Sequence, residues 1–266
     1  MRKCRQLSRI EAFGKLVSIH SVSNGHMKTL AFSFLAFAIA VAGFAADTKP
    51  APKAKAKRAP DPAMAKIEDV PGLPRVLIIG DSISIGYTLP VRELLKGKAN
   101  VHRIPTNGGP TSRALPQLKA WLGESKWDVI HFNWGLHDIK WMGKANAPVE
   151  VNAADGQRQV SPEDYEKNLM TMLAQLKATG AKLIWCNTTP APEGSPGRLA
   201  GDEVKYNEIA AKVMKAADVP TDDLWTHAHA KLAEVQLPKN VHYTPAGYKY
   251  LAEKVSAEIE KALPKK

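Results

Sequence analysis

Two side chains suited to covalent acyl chemistry stand far apart in the chain: Ser82, inside R-V-L-I-I-G-D-S-I-S-I-G-Y, and His242, inside P-K-N-V-H-Y-T-P-A-G-Y. A serine hydroxyl is a weak nucleophile until a base takes its proton, and histidine is the side chain whose unperturbed pKa lies nearest neutrality. Ser82 follows an apolar run that stops at Gly80-Asp81. On a turn from a buried strand into a helix, such a serine is exposed at the sheet edge beside backbone N–H groups that stabilise an oxyanion. The same residues also suit a helix start, because Asp81, Ser82 and Ser84 are capping types and Gly80 can turn the chain. The tripeptide alone leaves both readings open.

The elements that must position these residues follow from periodicity. Short apolar runs at 76–79, 100–104, 128–133, 182–186 and, weakly, 223–226 read as strands, alternating with helical patterns as in a parallel sheet with crossover helices. The clearest helix begins at S-P-E-D, with Ser161 as cap and Pro162 at the first position. It aligns Tyr165, Leu169, Met172, Leu173 and Leu176 on one face and ends at Gly180. Helices also fit 111–122, 202–217 and 245–263, the last with Tyr248, Leu251, Val255 and Ile259 on one face. In open parallel sheets ligands bind beyond the carboxyl ends of the strands, which is where G-D-S falls.

An early strand followed by G-D-S, together with V-H-x-T-P-x-G-Y before a terminal amphipathic helix, resembles the SGNH/GDSL hydrolase family over residues 75–263. The resemblance implies a three-layer α/β/α sandwich around a mainly parallel sheet of about five strands, flavodoxin-like in order. It implies Ser82 as nucleophile and oxyanion donor, with Asp81 beside it, and His242 as base. In T-N-G-G-P-T-S the family's oxyanion glycine falls on Gly109, two residues after Asn107, with Gly108 as the competing register. In N-W-G-L-H-D the family's G-x-N-D reads Gly135, Leu136, His137, Asp138, so that a histidine stands where the family's donor asparagine is expected. Neutral imidazole still offers one N–H.

A second departure lies three residues before His242, where the family commonly has aspartate and this chain has Lys239, followed by Asn240. A cation there would lower the pKa of the base. Three readings stand: a Ser–His dyad oriented by Asn240 or a backbone carbonyl, a carboxylate from elsewhere such as Asp222 or Asp223, or an impaired enzyme.

Trp134 and Trp141 flank the third block and are candidate substrate contacts, since aromatic faces stack on sugar rings. His227, His229, His131, His137 and Asp138 form no tight ligand pattern, and a serine scheme requires none; no metal and no cofactor is expected.

The formal charge of +11 is concentrated at the front. Met1 to Arg75 carries 13 Lys/Arg against 5 Asp/Glu, and the remainder 24 against 21, with no basic stripe suited to nucleic acid. From Met27, one lysine, an apolar tract over 29–42 and the small residues Gly43 and Ala45 read as a signal peptide cleaved after Ala45, with Met27 as the true start. An uncleaved anchor is the alternative, and either exports the body, to the periplasm or the medium. Residues 46–74, rich in Pro, Ala and Lys, read as a disordered spacer whose lysines could make loose envelope contacts. The domain is expected over 75–266. Cys4 would leave with the leader, and Cys186 alone makes no intramolecular disulfide. The expectation is an exported serine esterase acting on a small-molecule or glycan ester, with O-deacetylation of a carbohydrate or envelope glycan in view. The alternatives are a noncatalytic glycan- or envelope-binding protein on the same scaffold, and a lipase or lysophospholipase.

Overall fold

The computed structural model describes residues 61–144 and 147–265. Among them are seven strands: β1 (Arg75–Ile79), β2 (Asn100–Arg103), β3 (Val129–Phe132), β4 (Trp141–Met142), β5 (Gln157–Arg158), β6 (Lys182–Cys186) and β7 (Thr221–Asp222). The α-helices are α1 (Ser82–Leu94), α2 (Thr111–Ala114), α3 (Leu118–Leu122), α4 (Pro162–Lys177), α5 (Asp202–Ala216), α6 (Leu224–His229), α7 (Leu232–Val235) and α8 (Pro245–Ala262). No described helix is long and apolar enough to cross a membrane.

Five strands form one parallel sheet in the order β2-β1-β3-β6-β7. Counted within the sheet this is 2-1-3-4-5, the doubly wound order whose switch point lies between β1 and β3. Helices cover both faces, so the central strands are apolar without alternation. Val76, Leu77, Ile78 and Ile79 are all buried, each contributing roughly 1.5–3 kcal/mol. On one side α1 packs on α8, which also meets α6 and α7; on the other α4 packs against α2, α3 and α5. The close approach of α1 to α8 depends on Gly86, where any Cβ would collide with the ring of Tyr248. That contact brings the amino ends of both helices together.

Three local expectations are corrected. Residues 223–226 are not a strand: Asp223 accepts from the Thr226 N–H as an N-cap, so the chain turns into α6 directly after β7. The single helix expected over 111–122 is divided by a 3₁₀ turn, Leu115–Gln117, because Pro116 has no N–H to continue the ladder. The expected spacer at 46–74 is too long, since from Asp61 the chain packs on the body. Arg92 holds the carbonyls of Pro62 and Ala65, while Asn100 accepts from the N–H of Val70 and donates to the carbonyls of Val70 and Leu73. The leader, with its cleavage point, and residues 46–60 of the spacer lie outside the described residues.

Candidate active site

The site lies where β1, β2 and β3 end. Backbone bonds from Ile104 to Ile78, Gly108 to Gly80 and Asn133 to Ile79 carry the pairing past the strands, so the three following loops start side by side. Asp81 is the N-cap of α1, its Oδ1 accepting from the Ile83 N–H at 2.9 Å, which makes Ser82 the first helical residue. Cap and candidate nucleophile are therefore neighbouring residues, with the capping done by Asp81.

The turn beneath is held by a residue that the sequence reading missed. Arg103, buried at the end of β2, donates to the carbonyls of Gly80, Asp81, Ile104 and Thr106 and to Ser84 Oγ, at 2.7 to 3.0 Å. Burial lowers its pKa to about 10, which leaves it cationic at neutral pH. The available signal was an arginine closing an otherwise apolar strand.

His242 approaches from the loop before α8. Leu237 N–H bonds the His242 carbonyl, Thr244 N–H bonds that of Val235, and Gln236 ties the loop to the carbonyls of Pro190 and Val241. Its Nε2 is 2.8 Å from Ser82 Oγ, and its Nδ1 is 2.8 Å from Asn240 Oδ1. The same Oδ1 accepts from the His242 backbone N–H at 3.0 Å. That bond settles the amide orientation, since a backbone N–H only donates and must face oxygen. Nδ1 then carries the ring proton, and the Nε2 lone pair faces the serine hydroxyl.

Neither alternative carboxylate reaches this imidazole. Asp222 Oδ2 is 3.0 Å from His131 Nε2, both fully buried, and Asp223 accepts from Thr226 and Asn187. Lys239 is exposed, with φ +53° turning it outward and its stem beside Gly194. The pKa of His242 is lowered chiefly by burial and further by Arg198, with Asp81 opposing; the cation that acts is Arg198 rather than Lys239.

His137 sits half-buried in the turn after β3, and among the described residues neither ring nitrogen has a hydrogen-bond partner. Burial lowers its pKa first, Asp81 raises it, and Arg198, Arg113 and Lys140 lower it again. The neutral ring offers one free N–H. Asp138 points inward: its Oδ1 accepts from Thr111 N at 2.8 Å and from Thr111 Oγ1 at 2.5 Å, tying this turn to α2, and burial raises its pKa to about 7. Gly109 has φ +61°, with the Arg113 guanidinium where a Cβ would stand. Its N–H, however, donates to Asn107 Oδ1 at 2.9 Å, and that of Gly108 to Gly80. Either glycine reaches an oxyanion only by sharing or releasing that bond, whereas the Asn107 amide nitrogen has no partner among the described residues.

Trp134 is 1% exposed and packs beside Phe132 in the core, so it offers no face to a ligand. Trp141 is half-buried in the β4–β5 hairpin, with Arg158 5.3 Å from its ring, and its backbone N–H, not its indole N–H, donates to the Gly197 carbonyl. Of the histidines weighed as metal ligands and set aside, His131 joins Cys186 and Asp222, with candidate ligand atoms within 4.8 Å of one another. Burial pushes the Cys186 thiol well above its ordinary value, so a metal there would have to displace that proton and part the His131–Asp222 bond. Two concavities of about 700 and 720 Å³, the first lined by Lys177, Lys182 and Pro220 and the second by Pro74, Lys98 and Asp128, lie at the amino ends of the strands, away from Ser82.

A serine and a correctly tautomerised histidine at the switch point of a doubly wound sheet define a serine hydrolase arrangement. The chain belongs to the GDSL-like Lipase/Acylhydrolase family, whose model matches residues 78–250. It is similar to an arylesterase of Vibrio mimicus, 22% identical over 200 residues, covering 71% of this chain and 90% of that protein. A lipase/acylhydrolase from Enterococcus faecalis shares the fold at TM-score 0.60 and 20% identity, covering 73% of this chain and 99% of that one. An acetylxylan esterase from Geobacillus stearothermophilus does so at TM-score 0.56 and 17% identity, covering 70% and 94%. The protein is thus an ester hydrolase of the GDSL class.

Proposed function

We propose that the protein is an exported esterase that removes small acyl groups, acetyl foremost, from carbohydrate hydroxyls. The observation carrying the mechanism is the Ser82–His242–Asn240 relay. Ser82 Oγ attacks the ester carbonyl as its proton passes to His242 Nε2, while Asn240 Oδ1 keeps the Nδ1 proton in place. The developing oxyanion is met by the Ser82 N–H at the start of α1 and by the free donors of His137 and Asn107, with Gly109 N–H sharing its bond. Collapse returns the proton from Nε2 to the leaving alcohol and leaves acyl-Ser82. Water, deprotonated by His242, then releases the acid and restores the serine.

Acetyl and carbohydrate are supported by the acetylxylan esterase among the structural neighbours and by the partly exposed Trp141 near the His137 turn. Export is supported by the leader-like tract from Met27. The test uses the full chain on 4-nitrophenyl acetate and on acetylated xylan. Turnover of both, reduced at least about 1000-fold in Ser82→Ala, is expected; equal rates in parent and variant overturn the mechanism, and turnover of the aryl ester alone overturns the carbohydrate assignment.

A further inference from the structure

The rim of the site holds positive charge for which the reaction above has no use. Arg198 is half-buried in the loop after β6; its Nε donates to the Leu136 carbonyl at 2.7 Å, directly before His137, and its Nη1 to Pro196 at 3.4 Å. Its Nη2 has no hydrogen-bond partner among the described residues. Arg113 folds back from α2, donating to the Asn107 carbonyl at 3.0 Å and lying over Gly109. Lys140, half-buried, closes the His137 turn through its own N–H. The three cations thus stand against the two loops that hold the oxyanion candidates.

Some cations elsewhere are paired, Arg75 with Asp69, Arg158 with Asp202, Lys98 with Glu260 and Lys254 with Glu258, while Arg103 is bound to carbonyls and Ser84 that take up all but its Nε. Among the described residues Arg198, Arg113 and Lys140 have no carboxylate within 4.0 Å. Asp81, the carboxylate that opposes them at His137, spends its Oδ1 on the cap of α1. A partly desolvated guanidinium bound only to carbonyls keeps its full charge, and its planar fork is the protein group best shaped for carboxylate or other oxyanions.

We propose that the site selects esters bearing a carboxylate or similar anion close to the scissile bond, with Arg198 as the main contact and Arg113 and Lys140 at its sides. The proposal rests on the ester-hydrolase reading and names its substrate class. The anion could belong to the acyl group, as in a dicarboxylic half-ester, or to the alcohol, as in an acylated acidic sugar.

Two ester pairs distinguish these sources in the full chain: 4-nitrophenyl hemisuccinate against its methyl ester, and 4-acetoxybenzoate against methyl 4-acetoxybenzoate. Each kcat/KM is taken after subtraction of the uncatalysed rate of the same ester, which in the hemisuccinate is raised by attack of its own carboxylate on the ester carbonyl. In one pair the anionic member is expected to lead by at least about tenfold, with the lead shrinking in 0.5 M salt and falling about tenfold in Arg198→Gln. The ratio cancels general damage to catalysis. Should Arg198→Gln not fold, Arg113→Gln and the salt dependence of the parent decide. Ser82-dependent turnover with no anionic preference in either pair overturns the proposal and leaves the esterase standing. So does a preference that neither arginine substitution changes. No Ser82-dependent turnover of any ester overturns both.

Discussion

Two histidines of this molecule have exchanged the partners one would assign them. His131, on β3 in the core, has a carboxylate: its Nε2 is 3.0 Å from Asp222, with both side chains sealed from solvent. His242, at the open end of the sheet, has only the neutral oxygen of Asn240, yet faces a serine hydroxyl. The carboxylate–histidine pair is therefore the structural one, and the amide–histidine pair is the one placed for chemistry. A carboxylate adds stabilisation to an imidazolium, but access to a nucleophile and the right tautomer come first. Asn240 supplies the tautomer because the His242 backbone N–H forces its oxygen inward.

The sharpest way to break this contrast is to remove each ring in turn. His242→Ala should lower kcat/KM at least about 1000-fold with little change in unfolding temperature. His131→Leu should cost about 3 kcal/mol of stability, because it removes the 3.0 Å partner of the buried Asp222 and leaves it only Lys254 at 3.9 Å, while the surviving folded enzyme keeps its pH profile. Denaturant titration and steady-state kinetics on both variants check the pair; reversed effects would exchange the two roles.

Next in size is the donor across the site. His137→Ala should reduce kcat about 100-fold with a much smaller change in KM, the pattern of a contact made in the transition state, and His137→Asn should recover much of the loss. An unaffected alanine variant removes His137 from the oxyanion site.

Smaller, but directed at the partner itself, is Asn240→Asp. His242 accepts a proton only when neutral, so the rate falls as pH drops through its pKa. Burial and Arg198 lower that pKa, placing the acid limb of kcat/KM below the ordinary imidazole value of about 6.5. An aspartate at 240 favours the imidazolium and should move the limb up by about one unit or more. A limb that does not move would mean that residue 240 does not face the ring.

The smallest effect is expected at Lys239. Its side chain is turned outward and Arg198 supplies the cation felt by the base, so Lys239→Asp should change kcat/KM less than about threefold. A large gain would return the side chain to the site.

Most of the sheet was legible because burial on both faces writes β1, β3 and β6 as short apolar runs, and the helices on them carry a 3.6-residue repeat. Where local chemistry outvoted the pattern, the reading failed. Asp223 chose to cap α6 rather than extend a strand, and Pro116 broke the helix between α2 and α3. Trp134 shows a different limit. Beside the third block in sequence, it points into the core next to Phe132, because a strand end passes side chains to alternate sides.

By itself the sequence determined the candidate pair, Ser82 and His242, and the order of elements that carries each to the same sheet edge, because periodicity and capping are local properties. Only the tertiary structure decided who stands around them. A left-handed turn at Lys239 sends that cation outward and Asn240 inward, and the Gly86–Tyr248 contact sets α8 close enough to α1 for the 2.8 Å bond. Arg103 comes to the site from the end of β2, Arg113 from α2 and Arg198 from the loop after β6. Loop paths are fixed by long-range packing and bonds to distant carbonyls, which leave no periodic trace in the chain.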